Sequence, residues 1–118
     1  MKIRKNKPFI YPLLKLFFPA ITFDRVIITF NGVVYSKNEL TERQIVHEQV
    51  HIEQQRRDKF WLIKYIFSKR YRYELELSAY KKEWSVYHTE ADRMAHLLSS
   101  PLYGNVVDYY EAFKQIKQ

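Results

Sequence analysis

The sequence predicts an α+β fold that is mostly helical. A small antiparallel β-hairpin or sheet should be followed by a histidine-bearing helix and a long glutamate-bearing helix. Three observations lead there. Asn31-Gly32 sits between β-branched and aromatic runs, a strong short hairpin signal. Thr41 with Gln44 three residues on makes a capping box that opens a helical run. Apolar residues then recur with a helical period from about Arg72 to Leu98.

The elements follow in chain order. Residues 1–20 form an amphipathic segment: after basic residues 1–7, the doublets Phe9/Ile10, Leu13/Leu14 and Phe17/Phe18 repeat every four residues. It is expected mainly to pack, with a weak membrane-surface contact through residues 8–18 as the second reading. Lys15 and two prolines interrupt the apolar run and no A-x-A site follows, so a signal peptide is not expected. Residues 21–36 are the hairpin region, with a further short strand expected at residues 21–23. Residues 40–98 carry the helices that matter for chemistry: one over 41–57, a short apolar segment over 60–67 that reads as helix or connector, and one long helix over 72–98. Ser99-Ser100-Pro101 stops that helix. Residues 99–118 hold a turn at Gly104-Asn105 and a last helix capped by Asp108 and ending at Lys117.

With 118 residues and no linker or repeat, the chain is expected to be a single domain, 1–118, with one modest core. Hydrophobic residues make up 47%, which excludes a disordered chain. Ten Tyr, eight Phe and two Trp favour a core or groove of large rings. The absence of cysteine excludes disulfides and a thiolate metal site, and fits a reducing, cytoplasmic setting. No stretch is apolar enough to span a bilayer. The net charge of +7 reads as a solvated surface. Nucleic acid is not an expected partner: Arg70-Tyr71-Arg72-Tyr73 interleaves basic and aromatic residues, but no recognition motif accompanies it.

Chemistry concentrates at His47-Glu48-Gln49-Val50-His51, which reads H-E-x-x-H. Histidines four apart lie about 40° apart around a helix, so both can address one ion, and the glutamate beside them is placed to act on a water there. Val46 and Val50 flank the histidine face on one side, Ile45 and Ile52 on the other. That pattern suits a helix bordered by apolar packing on both sides.

Catalytic zinc takes three protein ligands and leaves one position open. A third histidine six residues after His51 is ruled out, because that position is Arg57 and the glycine position is Gln54. The next helix offers Glu74 and Glu76, about 200° apart around it. The face of Glu76 carries Tyr73, Ala79, Tyr80, Glu83, Tyr87, Ala91, Met94 and Leu98. The face of Glu74 carries Leu77, Ser78, Lys81, Ser85 and His88. The first face should be buried and the second wet, so Glu76 is the better candidate, and Ala79 one turn on would allow close helix approach. His88 and His96 are expected at the surface.

H-E-x-x-H, 24 residues, then Glu76-x-x-Ala79-Tyr80 resembles the gluzincin pattern of zinc metallopeptidases. It is also similar to very short H-E-x-x-H peptidase-type proteins of bacteria and their phages. The resemblance covers roughly residues 21–98. It implies a minimal zincin-like fold, one Zn²⁺ per chain on His47, His51 and Glu76, and Glu48 as general base in peptide-bond hydrolysis. It implies a peptide or protein substrate, laid in extended form along a strand edge that residues 26–35 would supply. Tyr80 stands where the family commonly has an aspartate that orients a metal-bound histidine, which puts that support in question. The oxyanion partner stays open among Tyr87, Tyr103 and Tyr109. The alternative reading is a catalytically silent metal-binding module for a protein partner.

Overall fold

The computed structural model describes residues 1–118 and bears out the mostly helical α+β class. Six α-helices accompany one three-stranded sheet. The chain forms two compact units, Met1–Lys59 and Phe60–Gln118. No helix is long and apolar enough to cross a membrane.

The first unit holds β1 (Lys2–Arg4), α1 (Tyr11–Phe17), β2 (Ile28–Phe30), β3 (Val33–Tyr35) and α2 (Glu42–Arg57). The expected hairpin is present. Asn31 and Gly32 both take positive φ, 54° and 82°, as a tight two-residue hairpin turn requires. β2 and β3 pair antiparallel with Thr29 opposite Val34. The third strand is not at residues 21–23. It is β1, which pairs parallel with β3 and makes the order β1-β3-β2. Residues 21–23 instead lie in a turn region, where Phe23 is buried with its ring edge-on to Tyr11 at 6.0 Å. β1 was hard to foresee because Lys-Ile-Arg is short, basic and exposed along its length.

In α1, Ile10 just before the helix and Leu14 within it are buried, while Phe9 and Leu13 face out. Lys15, which breaks the apolar run in the sequence, folds back and donates to the carbonyls of Pro19 and Ile21, both at 2.6 Å. It thereby holds the exit of the helix.

α2 begins as expected. Thr41 Oγ1 accepts from the Gln44 amide at 3.1 Å and the Gln44 side chain accepts from the Thr41 amide at 2.9 Å. Such a cap stabilises a helix by about 1 kcal/mol. α2 packs against β2.

The second unit is all helical: α3 (Trp61–Phe67), α4 (Lys69–Tyr87), α5 (Ala91–Leu98), a 3-10 turn (Pro101–Tyr103) and α6 (Tyr109–Lys117). The apolar segment after α2 is therefore a helix. The single helix expected over 72–98 is two helices. His88 and Glu90 adopt left-handed φ of 53° and 67° and turn the chain between α4 and α5. The physical reason is the core. A continuous helix would run about 40 Å, leaving its far apolar face nothing to pack on. The turn brings Ala91, Met94, Ala95 and Leu98, spaced i, i+3, i+4, i+7, into one cluster with Tyr73, Tyr80, Ala112 and Ile116. Neither glycine nor proline marks this turn, so no local signal foretells it. α6 starts where expected, with Asp108 accepting from the Glu111 amide at 2.8 Å.

Tyr73 is buried in this core and its hydroxyl meets Gln115 of α6. Burial, reinforced by Glu111 and opposed by Arg70, pushes its phenol up to about 12. Between the ordinary tyrosine pKa and that value, the unfolded chain has lost the proton and the folded chain keeps it. The unfolded state then binds fewer protons, so stability falls as pH rises. Melts from about pH 8 to about pH 12 should show an alkaline loss on the order of 2 kcal/mol from this residue. Tyr73→Phe should flatten that limb while weakening the neutral-pH fold through the lost Gln115 contact.

Candidate metal centre

α2 buries three side chains, and all three are ionisable: His47, Glu48 and His51. Its apolar residues Ile45, Val46, Val50 and Ile52 are only half-buried, on both sides of the histidines. A helix that packed only for stability would bury its apolar residues first. Burying imidazole and carboxylate instead is costly unless each group has a specific partner.

The partners within the first unit are specific. Thr29 Oγ1, on β2, donates to Glu48 Oε1 at 2.8 Å in a buried hydrogen bond. The other carboxylate oxygen, Oε2, lies 3.9 Å from His47 Nε2. Thr29 therefore holds the carboxylate with one oxygen on the sheet and the other toward the imidazole. Gln55, two turns further along α2, brackets the same strand. Its amide donates to the Thr29 carbonyl at 2.7 Å and its oxygen accepts from the Asn31 amide at 3.1 Å. Those are main-chain groups of β2 and of the turn that follows it. Strand addition by a peptide at this point of the hairpin would have to displace the Gln55 amide.

Gln54 acts on the histidines. Its Oε1 sits 2.9 Å from His51 Nδ1. A carbonyl oxygen only accepts, so this contact calls for a proton on Nδ1, and in the neutral ring that leaves the lone pair on Nε2. That lone pair lies 3.2 Å from His47 Nε2, with the two rings 4.9 Å apart. Without an ion, this contact needs a proton on His47 Nε2. With one, the spacing is what coordination demands: two nitrogens each about 2.05 Å from a tetrahedral zinc lie about 3.3 Å apart. The donor set fits zinc: two imidazole nitrogens on one helix face, a side-chain acceptor beside His51 Nδ1, and no cysteine in the chain.

The structure thus brings His47, Glu48 and His51 together, as the H-E-x-x-H spacing predicts. Comparison with protein-family models, curated proteins and solved structures finds no match for this chain.

Glu76 belongs to the second unit. The face count on α4 is reproduced there: Tyr73, Glu76, Ala79, Tyr80 and Glu83 are buried. Glu74 is exposed and pairs with Arg70 at 3.4 Å. Tyr65 on α3 donates to Glu76 Oε2 at 3.4 Å. Glu83, on the same face, is committed to Arg93 at 2.9 Å. His88 is exposed at the end of α4. His96 is exposed beside Asp92 at 3.6 Å and against the ring of Tyr109. Neither is a ligand candidate. Of the three tyrosines left open for the oxyanion role, Tyr109 is engaged: its hydroxyl meets Asp92, which raises its pKa, and so it is a poor candidate.

Three participants were missed in the sequence: Thr29, Gln54 and Gln55. Gln54 had a signal available. It lies three residues after His51, one turn on and within reach of the same face. Thr29 had none, because its pairing with Glu48 spans 19 positions across a turn. Gln54→Ala should leave the fold intact and weaken zinc binding by about 10- to 100-fold, since the imidazole loses its orienting acceptor. A competition titration against a zinc indicator reads this directly.

Proposed function

We propose that this protein is a zinc-dependent hydrolase of the metallopeptidase type, with His47, His51 and Glu76 as ligands and Glu48 as general base. The observation that carries the reading is the 3.2 Å approach of two imidazole Nε2 atoms, one with its tautomer set by Gln54. Glu76 is assigned as third ligand because it is a buried carboxylate on the packed face of α4, whereas Glu74 is exposed. Bound zinc would supply Lewis acidity and lower the pKa of a water to about 7.

The chain's own residues do the rest. His47 and His51 offer neutral lone pairs. Thr29 fixes the Glu48 carboxylate through Oε1, which leaves Oε2 on the histidine side to take the proton of the attacking water. The same oxygen can then return that proton to the leaving amine. A carboxylate oriented by a sheet hydroxyl loses little freedom when it acts, which favours proton transfer over a mobile glutamate.

Zinc-loaded protein should cleave members of an unstructured peptide library, and chelation should stop it. Full zinc loading with no cleavage of any peptide would remove the hydrolase reading and leave a metal-stabilised binding module. In that case chelation would lower the melting temperature with no activity to lose.

A further inference from the structure

We propose that Gln55 is an autoinhibitory plug: its carboxamide fills the outer edge of β2 where an extended peptide would pair, and a peptide reaches that edge by displacing it. The effect on turnover rests on the hydrolase reading, whereas the exchange of plug for peptide does not.

β2 is an edge strand. The sheet order is β1-β3-β2, so β3 covers one side of it only. The turn at Asn31-Gly32 has two residues, which makes Phe30 and Val33 a hydrogen-bonded pair. Bonding direction alternates along an antiparallel strand, so the main-chain groups of Thr29 and Asn31 point away from β3. An added strand would need those groups. Gln55 holds two of them: Nε2 donates to the Thr29 carbonyl at 2.7 Å, and Oε1 accepts from the Asn31 amide at 3.1 Å. A residue of a parallel neighbour makes the same pair of bonds, to a carbonyl and from the amide two positions on. One side chain thus imitates one residue of a bound chain.

The imitation is reversible. Gln55 is half-buried and Asn31 is exposed, so a chain can approach from solvent. The carboxamide sits on a flexible stem and swings away at the cost of two hydrogen bonds, which an incoming main chain remakes. α2 stays tied to β2 by Thr29 and Glu48 at 2.8 Å. The edge also adjoins the histidine site. Thr29 gives its carbonyl to Gln55 and its hydroxyl to Glu48. Gln55 follows His51 by four residues, about 40° around α2. A chain paired with Thr29 is therefore held by the residue that orients the Glu48 carboxylate.

Gln55→Leu keeps bulk and removes both hydrogen bonds, and Gln55→Ala removes bulk as well. Amide hydrogen exchange compares the zinc-loaded full chains, with and without excess of a capped hexapeptide of alternating threonine and valine. Without peptide, the Asn31 amide should exchange about tenfold faster in both variants than in the parent. With peptide, its protection should return to the parent level or beyond. Gln55→Leu should cleave dilute library peptides about tenfold faster than the parent. An Asn31 amide that peptide leaves unprotected in both variants would overturn the plug, as would cleavage that Gln55→Leu slows or leaves unchanged. Peptide protection at Asn31 with no cleavage by any form would uphold the plug and remove the hydrolase reading.

Discussion

Glu48→Gln is expected to keep the zinc and lose hydrolysis by about 10²- to 10⁴-fold, the range that a positioned general base contributes. The substitution is nearly isosteric. A glutamine carbonyl oxygen can still accept from Thr29 Oγ1, so the bridge between α2 and β2 survives. What is lost is a basic oxygen on the histidine side, where Oε2 stands 3.9 Å from His47 Nε2. Metal content and melting temperature should therefore match the parent protein while turnover collapses. The experiment separates chemistry from folding in a way that His47→Ala does not, because removing a histidine removes metal and activity together. If Glu48→Gln retained full turnover, Glu48 would be a structural anchor for Thr29 and not the base.

The largest effect on stability is expected from Leu98→Ala. Leu98 is completely buried at the end of α5, in the cluster with Met94, Tyr73, Tyr80 and Ile116. Truncating a leucine in such a site costs about 2–5 kcal/mol, from lost transfer energy and from the cavity left behind. In a unit this small, that lowers the melting temperature by roughly 10–20 °C or more. Val86→Ala on α4 is the control. Val86 is half exposed, so its loss should change stability by about 0.5 kcal/mol or less. Similar effects from the two substitutions would mean that α5 does not anchor the second unit.

The parts of this protein that were legible in the sequence are those in which local signals and burial agree. α2 announces itself through its capping box, and its histidine spacing places two imidazoles on one face. On α4, stepping by 100° sorts Glu76 from Glu74, because a buried face and a wet face carry different residue types over several turns. The hairpin turn was legible because Asn-Gly suits two consecutive positive φ values. The parts that were not legible depend on distant groups. β1 is a strand because β3 offers it a free edge, although nothing in Lys-Ile-Arg itself asks to be one. The turn at residues 88–90 exists because α5 must fold back to complete the core of Tyr73, Tyr80 and Ile116. Thr29, Gln54 and Gln55 act through hydrogen bonds to particular atoms, which leave no periodicity in the chain. Tyr80 is buried in the core of the second unit, and the acceptor beside His51 Nδ1 is Gln54.

Zinc stoichiometry decides whether His47 and His51 hold a metal ion. Purified protein reconstituted with zinc and freed of excess should carry about one ion per chain, while His47→Ala prepared in the same way should carry none. A parent protein that takes up no zinc, or a His47→Ala variant that keeps a full complement, would contradict the account.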